Sequence, residues 1–148
     1  MQLTEHFSLA ELTVSSWAAR NGVPNTPSAN ERANLVKLAA LLEAIRKLVG
    51  VPITVTSGFR NAKVNAAIGG SKTSAHMSGL AADINASGLT PHELAQKIVA
   101  SGLSFDQVIK EYADKPNQGW VHVGLSNTGN RRQVLTKDAT HDYTPGIH

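Results

Sequence analysis

Six histidines and no cysteine set the terms on which this 148-residue chain can hold a metal. Without thiolates there are no disulfides, no thiol catalysis and no cysteine zinc site, so any ligands must come from His, Asp and Glu. His76 sits in a loop of small residues, and Asp83 follows seven positions later on an apolar run. His122 lies in Gly119-Trp120-Val121-His122-Val123-Gly124. Two imidazoles and one carboxylate suit a catalytic zinc, which takes three protein ligands and leaves a fourth position for water. The carboxylate lowers the net charge of such a site, and the open position lets the metal make hydroxide near neutral pH. A histidine on a strand is more commonly a hydrogen-bonded structural residue, and spacing alone leaves both readings open. His6, His92, His141 and His148 have no such setting; His92, in the first turn of a helix, is expected to be exposed.

Strands and loops have to bring the three residues together. Ile53-Thr54-Val55-Thr56-Ser57 is short and β-branched, Leu80 to Ile84 is a second candidate strand, and Phe105 to Tyr112 and Trp120 to Leu125 are two more. Alternation puts Asp83 on the face away from Ala82 and Ile84, and puts His122 with Trp120 on the face away from Val121 and Val123. A turn is expected over 113–119, so the last two strands can form a hairpin. Arg132 to Thr136 reads as an edge strand, and the tail from His141 carries little signal. Helices are expected from the capping box at Ser8 and Glu11, from the stripe Leu35, Leu38, Leu42, Ile45 and Val49, over Asn61 to Ile68, and from Thr90-Pro91-His92-Glu93. Gly50 and Pro52 end the second of these, and Gly102 is the expected stop of the last. Residues 21–30 read as a loop. Helices first, then strands with one interposed helix, describe an α+β domain with a mostly antiparallel sheet.

Ser74-Ala75-His76-Met77-Ser78-Gly79-Leu80-Ala81-Ala82-Asp83 resembles the Ser-x-His-x-x-Gly-x-Ala-x-Asp pattern of the zinc D-alanyl-D-alanine carboxypeptidases and dipeptidases, the peptidase M15 family. Thr56-Ser57-Gly58-Phe59-Arg60 resembles that family's Ser-Gly-aromatic-Arg element, and Trp120-Val121-His122 its third-ligand strand. The similarity runs over roughly residues 5 to 125 and is nearest to the short, single-domain members of phages and prophages. It implies a small hedgehog/DD-peptidase-like α+β domain spanning 1–148, with one zinc ion on His76, Asp83 and His122. It also implies hydrolysis of a peptide bond next to a D-amino acid in bacterial cell-wall peptides. The small residues at 79, 81 and 82 let backbone and metal approach closely.

The resemblance makes Arg60 the residue that binds substrate or stabilises the developing oxyanion, for which a guanidinium fork is suited. Ser74, beside a ligand, is a candidate for hydrogen-bonding substrate, and Trp120 for a wall of the pocket. Many relatives carry an acid three positions before the last histidine, but here that position is Gly119. The nearest upstream acids are Glu111 and Asp114. Glu111, which the hairpin would bring beside His122, is the expected general base.

Lys plus Arg is 14 and Asp plus Glu 11, a formal charge of +3 spread along the chain, which argues against nucleic acid as the partner. No apolar run approaches the ~18–20 residues of a membrane span. Residues 1–6 lack a basic and apolar leader pattern, so the expectation is synthesis in the cytoplasm and action at the wall after release. The expected partner is a peptidoglycan stem peptide, met by a monomer. A D-Ala-D-Ala carboxypeptidase-like enzyme connected with phage lysis is the leading reading. An L-alanyl–D-glutamate or cross-bridge endopeptidase (an endolysin), or a catalytically silent wall-binding or phage structural module, are the alternatives.

Overall fold

In a computed structural model, residues 1–115 and 117–148 are described. The chain runs α1 (Leu9–Leu12), α2 (Ser16–Asn21), α3 (Ala29–Val49), β1 (Ile53–Ser57), α4 (Ala62–Ala67), a 3-10 turn (Ala75–Ser78), β2 (Ala81–Ala86), α5 (Pro91–Ala100), β3 (Gln107–Glu111), β4 (Trp120–Gly124), β5 (Gln133–Lys137) and β6 (Thr144–Pro145). The six strands form one sheet in the order β1-β2-β4-β3-β5-β6. All pairings are antiparallel except β3 with β5, which is parallel. This is the α+β architecture that the order of elements predicts.

Local chemistry explains where the helices begin. Ser8 with Glu11, Ser28 with Glu31 and Thr90 with Glu93 each close a reciprocal capping box, and Pro91 stands at the start of α5, where its missing N–H costs nothing. Leu35, Leu38, Leu42 and Ile45 of α3 and Leu94 and Ile98 of α5 are completely buried. They pack on Ala82, Ile84, Val108, Val121 and Val123, so one face of the sheet is closed by helices. Burial of each large aliphatic side chain stabilises the domain by about 1.5–3 kcal/mol. Period-two alternation then turns Asp83, Glu111 and His122 to the opposite face.

Several elements differ from expectation. The helix Ser16–Asn21 is unforeseen: Ser15 caps its start and Gly22, at φ +62°, its end. The loop predicted over 21–30 is therefore shorter, with Asn21 in α2 and Ala29 and Asn30 in α3. The last turn of α5 ends at Ser101, one residue before Gly102. β3 stops at Glu111, where Tyr112 takes φ +54° while its N–H still bonds the Lys137 carbonyl at 2.7 Å. β5 is not an edge: it lies between β3 and β6, a strand in the tail that showed little signal. The turn predicted over 113–119 joins β3 to β4, its position 116 lying outside the described residues. His92 is half-buried, with Nδ1 3.3 Å from Lys110 Nζ. Among the described residues no helix is long and apolar enough to cross a membrane.

Candidate metal centre

His76 comes from the 3-10 turn, Asp83 from β2 and His122 from β4. In the β2–β4 ladder Asp83 is directly opposite His122. The turn before β2 lowers His76 over the same place. Asp83 Oδ1 is 3.1 Å from His122 Nδ1 and 3.3 Å from His76 Nε2. One ligand atom from each residue lies within 4.8 Å of the others, and all three residues are buried. Among the described residues this is the one group of His, Cys, Asp or Glu that converges in this way.

The set fits a cation by its chemistry. A neutral imidazole nitrogen with a lone pair and a carboxylate oxygen are both acceptors, so the cluster needs positive charge at its centre. Zinc binds such atoms at about 2.0–2.2 Å, and the edge of a tetrahedron of that size is about 3.3 Å. The two short separations match that edge. His76 Nδ1 is 2.8 Å from the carbonyl of Gly58, which can only accept, so Nδ1 carries the proton and Nε2 is left with its lone pair toward Asp83. Burial by itself would raise the Asp83 carboxyl. When the two imidazoles facing it are protonated, their hydrogen bonds and charge, those of His122 first, outweigh burial and hold the group well below the usual aspartate range; a bound cation would take the place of those ring protons.

The Gly58 carbonyl is held in place by its surroundings. A Cβ on Gly58 would lie 2.3 Å from the carbonyl oxygen of Leu12, so only glycine permits the approach. That same oxygen accepts from Phe59 N at 2.7 Å. The Asn25 side chain donates to the carbonyls of Thr13 and Phe59 and accepts from Asn61 N, which pins the segment leading into Arg60. Nothing local in the sequence marked Asn25; its partners are 12 to 36 residues away.

Glu111 ends β3 on the same face, with Oε1 3.8 Å from His122 Nδ1. Burial raises its carboxyl above the ordinary glutamate range; His122, Arg60 and Lys137 pull it down, and the charge of Asp83 pushes it further up. Asp114 is exposed and lines a separate hollow with Lys110 and His148, away from the triad. Gly119 has φ +86°, and a Cβ there would lie 2.5 Å from the Glu111 carbonyl oxygen. No acidic side chain can stand at that position in this backbone. Arg60 Nη2 donates to Ser74 Oγ at 3.2 Å, and Ser74 Oγ also accepts from His76 N, so Ser74 links the guanidinium to the ligand turn.

His76, Asp83, His122, Glu111, Arg60 and Ser74 line one cleft of about 730 Å³. Trp120 is part of its wall, its ring 5.3 Å from that of Tyr112. Tyr112, Tyr143, Asp106 and Arg131 also line it and were not anticipated from sequence.

The family model described as Peptidase M15 matches residues 5–124. A zinc D-Ala-D-Ala carboxypeptidase of Streptomyces albus G is 38% identical over 84 residues, 55% of this chain. The aligned part is 31% of that protein's length, so the chain spans well under half of this relative.

Proposed function

Since the chain belongs to the peptidase M15 family, we propose that it is a zinc-dependent peptidase that cleaves a bond next to a D-amino acid in peptidoglycan stem peptides, in the manner of a D-Ala-D-Ala carboxypeptidase. The observation that carries this reading is the meeting of His76, Asp83 and His122 in an open cleft with Glu111 and Arg60 beside them. The three residues would hold one zinc ion. The chemistry such an ion supplies when bound is polarisation of a carbonyl and acidification of water.

The protein's own groups do the rest. The Gly58 carbonyl keeps His76 in the tautomer that offers Nε2. Glu111, its carboxyl raised by burial, accepts the proton of the attacking water and returns it to the leaving amine nitrogen. Arg60 stays charged despite burial and presents N–H groups to a substrate carboxylate or to the oxygen on which charge develops. Ser74 holds that guanidinium, and Trp120 bounds the space for the substrate backbone.

An endopeptidase reading is favoured by one feature. The cleft continues past the triad in both directions, toward Tyr112 and Tyr143 and toward Arg131, so peptide can extend on each side of the scissile bond. Zinc-loaded protein incubated with muropeptides, with and without a chelator, decides by mass spectrometry. Loss of one alanine means a carboxypeptidase. Cleavage between L-alanine and D-glutamate, or in the cross-bridge, means an endopeptidase. No metal-dependent product from the loaded protein sinks both and leaves a silent wall-binding module. For either bond we place the action at the cell wall, by a monomer, in the setting of phage lysis. Clearing of permeabilised but not intact bacterial cells tests that setting, and sedimentation tests the monomer.

A further inference from the structure

We propose that Arg131, aimed by Asp106, is a specificity residue that binds a substrate carboxylate several residues from the scissile bond. Asp106 precedes β3 and Arg131 precedes β5, and the parallel pairing of these strands brings the two together. Asp106 accepts three hydrogen bonds from Arg131: from the backbone N at 3.0 Å, from Nε at 3.0 Å and from Nη2 at 2.9 Å. The carboxylate is nearly buried, yet the arginine side chain is 58% exposed, and both line the cleft that holds the metal ligands. A guanidinium gripped along one edge has its remaining N–H groups fixed in direction, and a second carboxylate is the acceptor they fit best.

The distance sets which substrate group is read. His122 is paired with Ile109, and Asp106 lies three residues before it. At about 3.3 Å per residue along the strand and about 4.8 Å for each strand crossed from β2 and β4 to β3 and β5, the anchor is about 12–16 Å from the metal centre, the span of about four extended peptide residues. The opposite end of the cleft is aromatic, with Tyr112, Trp120 and Tyr143, so the two ends of the cleft offer a peptide different chemistry.

The Arg131 side chain is not needed to fasten its loop. Arg132 donates to the carbonyls of Ser101 and Leu103 and covers the Phe105 ring at 4.5 Å. Asn130 binds Ser104, and the backbone N of Arg131 already reaches Asp106. The edge of the guanidinium that Asp106 does not hold, Nη1 with the second N–H of Nη2, is thus left for a ligand.

The inference rests on the peptidase reading only for the identity of the bond cut. The test uses the zinc-loaded chain and two stem peptides that differ in one group, a glutamyl carboxylate free or amidated. Both Kd and kcat/KM are measured. Wild type is expected to favour the free acid about tenfold, the difference between a charge-assisted and a neutral hydrogen-bond pair. Arg131→Gln is expected to bring the ratio to about one, Arg131→Lys to retain part of it, and Asp106→Asn, which unmasks the cation, to raise it; a merely structural pair would not move the ratio in opposite directions. Equal treatment of the two peptides by wild type, or a ratio untouched by Arg131→Gln, overturns the proposal. Should Arg131→Gln fail to fold, Arg131→Lys decides: an undiminished ratio overturns it. If neither peptide is cut but the Kd ratio follows Arg131, the anchor stands and the peptidase reading falls; if both are cut with an indifferent ratio, the reverse holds.

Discussion

Gly58 and His76 are joined by one hydrogen bond, from ring Nδ1 to backbone carbonyl at 2.8 Å, across 18 residues of chain. It couples the loop after β1 to the turn before β2 and decides which ring nitrogen is a ligand. Replacing Gly58 with Ala puts a methyl 2.3 Å from the Leu12 carbonyl and must displace the loop. Zinc affinity is expected to fall about 10- to 100-fold, as for other supporting contacts of metal ligands. Competition with a chelating dye measures it.

Glu111→Gln keeps the shape of the side chain and removes the base. Turnover is expected to drop by about 10²–10⁴ with zinc affinity unchanged within a few fold. Asp114→Asn, in the other hollow, is expected to leave turnover as it is. Undiminished hydrolysis by Glu111→Gln would remove Glu111 from the mechanism.

Restoring an acid three residues before His122 should fail. Gly119→Glu meets the Glu111 carbonyl oxygen at 2.5 Å and forces φ +86° on a residue with a Cβ. The backbone strain alone costs about 1–3 kcal/mol. Urea unfolding should show the loss, and the double variant Glu111→Gln, Gly119→Glu should recover no activity.

Zinc should stabilise the fold by an amount that grows with the logarithm of its concentration over Kd. At a hundredfold excess over Kd the gain is about 2.7 kcal/mol, and Tm should rise about 5–10 °C for a domain of this size. A chelator should reverse the shift and His122→Ala should abolish it. A shift that survives loss of His122 would place the ion elsewhere.

The Asp106–Arg131 pair should leave a signature in acid. Hydrogen bonds from Arg131 lower the Asp106 pKa from its ordinary 3.8, against a smaller opposing effect of burial. A carboxyl depressed in the folded state contributes stability that is present above its unfolded pKa and lost as pH falls through the folded one. The stability difference between wild type and Asp106→Asn should therefore be constant above about pH 5 and shrink below 3.8. A difference independent of pH would mean that the charge of Asp106 is not what matters.

What could be read from the sequence was what local chemistry dictates. β1, β2 and β4 follow from β-branched and apolar runs, the starts of α1 and α5 from capping boxes, and the triad from a motif whose spacing survives into three dimensions. α2 was hidden because six residues depend on a serine cap and a left-handed glycine more than on any apolar period. The position of β5 was hidden because strand order is set by pairing between distant segments. Arg131, Asp106 and Tyr143 were missed for the same reason: they reach the cleft only once β5 has paired with β3 and β6 with β5. Glu111 was legible because a hairpin is local, and its register puts it opposite Trp120, two places from His122.

The single parallel pairing has a wider consequence. β4 ends beside the start of β3, and β5 begins on the far side of that same start, so residues 125–132 must step over it. Arg131 of this bridge lines the cleft, and the bridge supplies none of the three ligands. The bridge can therefore change in length or charge without altering the residues that make the metal cradle.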